Sequence, residues 1–172
     1  MTAKKTAIYP GSFDPVTNGH LDIIRRASRM FEHLTVVVMN NTAKHSLFSV
    51  EERVKMVQEA VAGIPNVEVD SYDSLLVNYC KKHKIRIVVR GLRAVTDFES
   101  ELQIAQINKA LSQGYVDTVF LTTSIAFAYV SSSLAKEIAM FRGDVAKIVP
   151  ESVAKQLIKK YPKEECEHKE QV

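Results

Sequence analysis

The sequence predicts an α/β fold: one parallel sheet of five strands with helices on both faces. Short runs that are apolar throughout, rather than alternating, recur along the chain, and strands buried on both faces read that way. Between them lie stretches with helical spacing, so strand and helix alternate almost to the end, the pattern of βαβ crossovers. The 172 residues show neither an internal repeat nor a linker, so one domain is expected over 1–161, followed by a polar tail, 162–172, whose Lys/Glu-rich composition predicts mobility.

The elements follow in order. Thr6 to Tyr9 is the first strand, broken at Pro10-Gly11, and a helix is expected from His20 to Phe31 with Ile24, Ala27 and Phe31 at helical spacing. Leu34 to Met39 is a β-branched second strand, followed by a polar loop through Lys44 and His45. Ser49-Val50-Glu51-Glu52 is a capping box, and the helix behind it sets Val50, Val54, Val57, Val61 and Ile64 on one face. Val67 to Ser71 is a third strand, then a helix from Leu75 to Lys82. Ile85 to Val89 is the fourth strand, ending in Arg90-Gly91-Leu92-Arg93, with a long helix from Asp97 to Leu111. Thr118 to Leu121 is the fifth strand; Ser131-Ser132-Ser133 opens a helix to Met140, and Pro150 precedes the last, Glu151 to Tyr161. With right-handed crossovers this is a Rossmann-like sheet.

Composition bounds the function. Hydrophobic content of 46% and charged content of 25% are those of a soluble globular chain. A net charge of +3 fits an anionic small molecule and argues against nucleic acid, which calls for a clustered basic stripe. No run reaches transmembrane length and the N-terminus lacks a signal-peptide core, so no membrane partner is expected. Cys80 and Cys166 form no metal or redox spacing, and a reducing cytoplasm is the expectation.

In an open parallel sheet, ligands bind beyond the carboxyl ends of the strands. The polar residues that follow each strand therefore collect at one edge: Gly11, Ser12 and His20; Thr42 and Lys44; Arg90, Gly91 and Arg93; Thr122, Thr123 and Ser124, then the serine triplet. Such a set suits a ligand with more than one phosphate. Each part also has a plainer reading. The first loop can be a tight connection and Lys44 a solvated charge. Arg90, continuing an apolar run, needs a partner, either phosphate or the carboxylate of Asp97 or Glu101. One serine of the triplet suffices for an N-cap. Phe127 and Tyr129 can be core or can flank a base. His33, His45, His83 and His168 have no partners at ligand spacing and are read as surface residues. No nucleophile elbow, Walker A sequence, dinucleotide fingerprint or zinc spacing is present, so the chemistry points to positioning and electrostatics rather than covalent catalysis.

The stretch Pro10-Gly11-Ser12-Phe13-Asp14-Pro15 with Thr17-Asn18-Gly19-His20 resembles the signature of the nucleotidyltransferase superfamily with a T/H-x-G-H motif. Phe48 to Arg53, Arg90 to Glu99 and Val130 to Glu137 narrow the resemblance to the bacterial phosphopantetheine adenylyltransferases, over residues 5 to 160. The resemblance implies adenylyl transfer from ATP to 4′-phosphopantetheine, giving dephospho-coenzyme A and pyrophosphate, with Mg2+ on the ATP phosphates, a homohexamer, and coenzyme A as an inhibitor. It implies His20, Lys44 and Arg93 as catalytic residues. Ser12, Lys44, Leu76 and Arg90 would hold phosphopantetheine. ATP would lie against Ser12, Phe13, His20, Gly91, Leu92, Arg93 and Glu101, and against the run Phe127, Ala128, Tyr129, Val130, Ser131, Ser132 and Ser133. The family often has tryptophan where this chain has Phe127. The alternatives are another adenylyltransferase of the superfamily, such as one for nicotinamide mononucleotide, or a non-enzymatic nucleotide- or nucleic-acid-binding module.

Overall fold

The computed structural model describes residues 5–40, 45–93 and 95–161. Strands β1 (Thr6–Gly11), β2 (His33–Met39), β3 (Val67–Tyr72), β4 (Ile87–Leu92) and β5 (Asp117–Thr122) form one parallel sheet in the order β3-β2-β1-β4-β5. Helices α1 (Asn18–Met30), α2 (Val50–Val61), α3 (Leu76–His83), α4 (Val95–Leu111), α5 (Ser132–Met140) and α6 (Glu151–Lys160) complete it, with a short 3₁₀ turn at Ile125–Phe127. The expected alternation is present, and strand order reverses between β1 and β4.

Alternation along each strand decides which face a side chain joins. Ala7, Tyr9, Leu34, Val36, Val38 and Val89 enter one core with Ile23, Ile24 and Ala27 of α1, Met56, Val57 and Val61 of α2, and the apolar faces of α5 and α6. Ile8, Val37 and Val88 enter the other with Tyr79 and Cys80 of α3 and with Val116. Strands buried on both faces have no polar side to show, which is why their sequences read as unbroken apolar runs.

The boundaries move by a few residues. β1 and β4 run on to Gly11 and Leu92, and α1 starts at Asn18 because Thr17, not a later residue, is its N-cap. The capping box of α2 forms as its sequence predicts: Ser49 Oγ accepts from the Glu52 N–H at 3.2 Å, and the Ser49 N–H donates to the Glu52 carboxylate at 2.8 Å. The buried side of α2 differs from the expected valine stripe: Arg53 and Met56 are buried with Val57 and Val61, Val50 and Val54 are half-buried, and Ile64 lies beyond the end of the helix. Lys44 and the tail 162–172 lie outside the described residues.

Ser49→Ala should destabilise the protein by about 1 kcal/mol, the ordinary worth of an N-cap side chain. Urea denaturation checks this, and an unchanged midpoint would show that the box contributes nothing to stability.

Candidate functional site

A cleft of about 380 Å³ opens at the carboxyl edge of the sheet, where β1 and β4 part. Its walls come from the β1–α1 loop, the end of β4, the second turn of α4 and the start of α5. Of the expected residues it gathers Ser12, Phe13, His20, Arg90, Gly91, Arg93, Glu101, Val130, Ser131, Ser132 and Ser133. It does not gather five others. Leu76 packs against the core on the α3 side of the sheet. Leu92 instead supplies its carbonyl to the Thr123 N–H at 2.8 Å, which holds the end of β5 to β4. Phe127 packs against the larger core, while Ala128 and Tyr129 are exposed beyond the 3₁₀ turn. Tyr9, Thr17, Gly19, Ser100 and Thr123 line the cleft as well.

The first loop is built around His20. Thr17 caps α1, and its Oγ1 accepts from the His20 N–H at 3.3 Å. The return half of this capping box, which glutamate usually supplies, is made here by the imidazole: the Thr17 N–H donates to His20 Nδ1 at 3.0 Å. A nitrogen that accepts an N–H carries no proton, so the neutral ring must hold its proton on Nε2. Burial, with Arg93 and Arg90 nearby, lowers the pKa of His20 from the ordinary 6.5 to about 4. The residue is thus a neutral Nε2–H donor at neutral pH.

Packing fixes the ring as well as its proton. Phe13 is buried and lies edge-on to His20, with ring centroids 5.1 Å apart, and edge-on to Tyr9 at 5.6 Å. Phe13 takes a left-handed backbone conformation, φ 47°, uncommon for a residue with a side chain. Gly11 makes room for its ring: a Cβ at position 11 would stand 2.9 Å from Phe13 Cζ.

Arg90 has found a carboxylate partner, Glu101. Its Nε and Nη2 donate to the two Glu101 oxygens at 2.5 and 2.7 Å, and Nη1 donates to the Pro10 carbonyl at 2.8 Å. Burial acts to lower the Arg90 pKa, but the bonds and charge of Glu101 outweigh it and leave the pKa raised, so the cation is permanent. Nη1 and Nη2 each keep a second N–H. Arg93 Nη1 donates to the Val130 carbonyl at 3.3 Å.

The serine triplet divides its work. Ser131 caps α5, its Oγ accepting from the Leu134 N–H at 3.0 Å. Ser132 Oγ donates to the Pro15 carbonyl at 2.7 Å and ties α5 to the first loop. Ser133 is exposed in the cleft wall at the N-terminus of α5, a place that favours anions.

Two residues that the sequence reading passes over hold this frame together. Asp14 accepts from Lys136 Nζ at 2.8 Å and from the Leu47 and Phe48 N–H groups, each at 3.0 Å. Burial raises its pKa, but those bonds outweigh it and keep the carboxylate below its ordinary range. Arg53, buried, is the other. Its signal was present in the sequence, because it stands four residues before Val57 on the apolar stripe of α2, a place where a charge needs a reason. Of the histidines read as surface residues, His33 pairs with Glu68 at 3.2 Å and His83 stacks on Tyr79. Among the described residues no group of three or more His, Cys, Asp or Glu converges on one point, so these side chains offer no metal cage.

The cytidylyltransferase-like family model matches residues 8–138. The phosphopantetheine adenylyltransferase of Lachnoclostridium phytofermentans is 52% identical over 157 residues, covering 91% of this chain and 96% of its own. That of Thermotoga neapolitana is 53% identical over 154 residues, covering 90% and 95%. In fold, the chain is similar to the nicotinic acid mononucleotide adenylyltransferase of Plasmodium falciparum complexed with NaAD, with TM-score 0.66 at 16% identity, covering 91% of this chain and 96% of that one. A putative nicotinate-nucleotide adenylyltransferase from Vibrio parahaemolyticus gives TM-score 0.67 at 15% identity, covering 94% and 98%.

The tautomer is measurable. At pH 7, ¹⁵N NMR of the histidines should show His20 with a bare Nδ1 and a protonated Nε2, titrating near the value of about 4 that its surroundings impose. Between 6.5 and 4 the unfolded chain binds a proton that the native state refuses, so the stability from this residue is complete above 6.5 and declines as pH falls toward 4. A midpoint at the ordinary value, or the opposite tautomer, would show that the capping hydrogen bond does not hold the ring.

Proposed function

The chain belongs to the phosphopantetheine adenylyltransferase family, and from that premise we propose how its cleft transfers the adenylyl group of ATP to 4′-phosphopantetheine, giving dephospho-coenzyme A and pyrophosphate. The observation that carries the mechanism is the neutral His20 held with its Nε2–H available, beside the permanent cations Arg90 and Arg93.

The attacking group is a phosphate, already ionised at neutral pH, so the reaction needs no general base. This agrees with a site whose imidazole has its bare Nδ1 occupied by the Thr17 N–H and its Nε2 already protonated, so that it is no base. In-line attack on the α-phosphorus forms the new P–O bond as the bond to the departing pyrophosphate breaks. Negative charge grows on the non-bridging oxygens of that phosphorus, and His20 donates Nε2–H to one of them. A neutral donor suits this role, since its proton stays on nitrogen and no proton transfer accompanies the step. Arg90 keeps N–H groups on Nη1 and Nη2 for the acceptor phosphate while Glu101 holds the rest of its fork. Arg93 and the N-terminus of α5, with Ser131 to Ser133, receive the nucleotide phosphates, and Lys44 adds its charge to the acceptor side. Magnesium would ride on the phosphates of ATP, since the described side chains make no cage for it. The work is positioning and electrostatic stabilisation throughout. Coenzyme A carries the same pantetheine arm and would compete for this cleft.

Assembly is part of the proposal. Phe98, Ile104, Ile107 and Leu111 of α4 stand exposed, with Leu75 at the N-cap of α3. Ile104, Ile107 and Leu111 share one face of the helix while Phe98 lies on another, and exposed apolar side chains on two sides support self-association; the homohexamer is what the family resemblance implies. No helix among the described residues is long and apolar enough to cross a membrane, and ATP as donor fits a cytoplasmic site of action.

Pyrophosphate release from ATP with 4′-phosphopantetheine as acceptor tests the reading, with nicotinamide mononucleotide as the competing acceptor. His20→Ala should lower kcat by roughly 10²–10³, about 2.7–4 kcal/mol, as loss of a transition-state donor does. Both Michaelis constants should change little, and His45→Ala should match the native enzyme. Near-native turnover in His20→Ala, or loss of its circular dichroism, would make His20 structural. Light scattering should give a mass several times that of the 19.3 kDa chain; a monomer at micromolar concentration would contradict the hexamer.

A further inference from the structure

Among the described residues Arg53 heads the largest side chains that are completely buried, 1% exposed, yet it bears a permanent charge. Its hydrogen bonds go to main-chain carbonyls. Nε donates to Phe48 at 3.2 Å and Ser49 at 3.3 Å, and Nη1 to Ser12 at 2.7 Å and Met39 at 3.1 Å. Those oxygens belong to three segments: the entry to α2, the loop after β1, and the last residue of β2. The planar fork of arginine can span them; the single nitrogen of lysine holds one point, and an apolar side chain would leave buried carbonyls without a donor.

The shortest of the four bonds reaches 41 residues along the chain, to the wall of the cleft at Ser12. Asp14 secures the same junction from the opposite charge. Phe48 is held by its N–H to the Asp14 carboxylate and by its carbonyl to Arg53. The β4–β5 half of the cleft is fastened separately: Asp22 accepts from the Ser124 N–H at 3.0 Å and from Arg26 at 3.4 Å, and Arg26 also donates to the Thr122 carbonyl. Arg53 itself does not line the cleft.

We infer that Arg53 is a positioning residue for the acceptor half of the reaction, acting through the main chain of Ser12 without touching substrate. The strand ends that Arg53 holds make the effect selective. Release of Ser12 and Met39 disturbs the ends of β1 and β2, where Arg90 also rests on Pro10, while the β5–α5 turn keeps its own bonds to Asp22 and Arg26; α5 is tied to the first loop further on, through Ser132 to Pro15 and Lys136 to Asp14.

The inference rests on the adenylyl-transfer reading. If the native enzyme releases no pyrophosphate with phosphopantetheine, that reading fails; native turnover with an unselective Arg53 variant overturns the inference alone. The test is steady-state kinetics of Arg53→Lys and Arg53→Met, at a temperature where circular dichroism shows each variant folded, with Asp22→Asn as contrast. Arg53→Lys should lower kcat/KM for phosphopantetheine by roughly 10–100-fold, in the range that small misplacements of reacting groups cost. The KM for ATP should stay within about threefold, below the tenfold that one lost interaction of 1.4 kcal/mol would give. Asp22→Asn should show the reverse selectivity. Unchanged constants in folded Arg53→Lys, or equal loss for both substrates, would mean that Arg53 serves folding only. If neither Arg53 variant folds, the native protein carries the test: the ¹⁵N resonance of Arg53 Nε should shift on saturation with phosphopantetheine and not with ATP, and the same response to both ligands, or none, overturns the inference.

Discussion

The N–H of Thr17 can donate only to an imidazole nitrogen without a proton, and the chemistry of the cleft hangs on that hydrogen bond. It belongs to the cap of α1, so the tautomer of His20 is as secure as the first turn of the helix. The surroundings push the same way. Burial disfavours a charged ring, and Arg93 and Arg90 add repulsion. The site therefore separates two tasks that one protonated histidine would confuse. The guanidinium groups hold charge in the ground state, and a neutral donor waits for charge that appears only during reaction.

Placing cations in and around one edge has a cost, and the fold meets it by giving Arg90, Lys136 and Arg53 resident partners. Arg90 faces Glu101 in a forked pair, Lys136 faces Asp14, and Arg53 spreads its charge over carbonyls left at the ends of strands. A buried guanidinium without such partners would be strongly destabilising. The parallel sheet is what makes the gathering possible. Every strand delivers its following loop to the same side, and the reversal of strand order between β1 and β4 leaves a gap there with Arg90 on one wall and His20 on the other.

The sheet is legible in the sequence because strands covered on both faces leave uninterrupted apolar runs. The first loop is legible because Pro10, Gly11 and Gly19 punctuate it and His20 stands among them. The capping box of α2 is legible from Ser49 and Glu52 alone. What escapes is what depends on contacts distant in the chain. Glu101 is one of two carboxylates that spacing offers to Arg90, and only the packing of α4 selects it. Leu76, which the resemblance gives as an acceptor contact, is partly buried against the smaller core on the α3 side of the sheet, a placement that local sequence does not reveal. Arg53 breaks an apolar stripe and is visible as an anomaly, but two of its four carbonyl partners, Ser12 and Met39, reach it only in three dimensions. The role of His20 in its own cap is hidden for another reason: the pattern of a capping box names glutamate or glutamine at that position, and imidazole performs the part unannounced.

The wall around Gly11 has a consequence for how this cleft can change. Gly11 has no space for a methyl group, Phe13 fills that space with its ring, and the ring rests on the imidazole. Enlarging the first residue displaces the second, and trimming the second lets the third turn. A small molecule wedged against this surface would contact a lining that cannot be remodelled one residue at a time without moving His20. Escape from such a compound by substitution at this wall is thereby coupled to loss of the enzyme's own reaction.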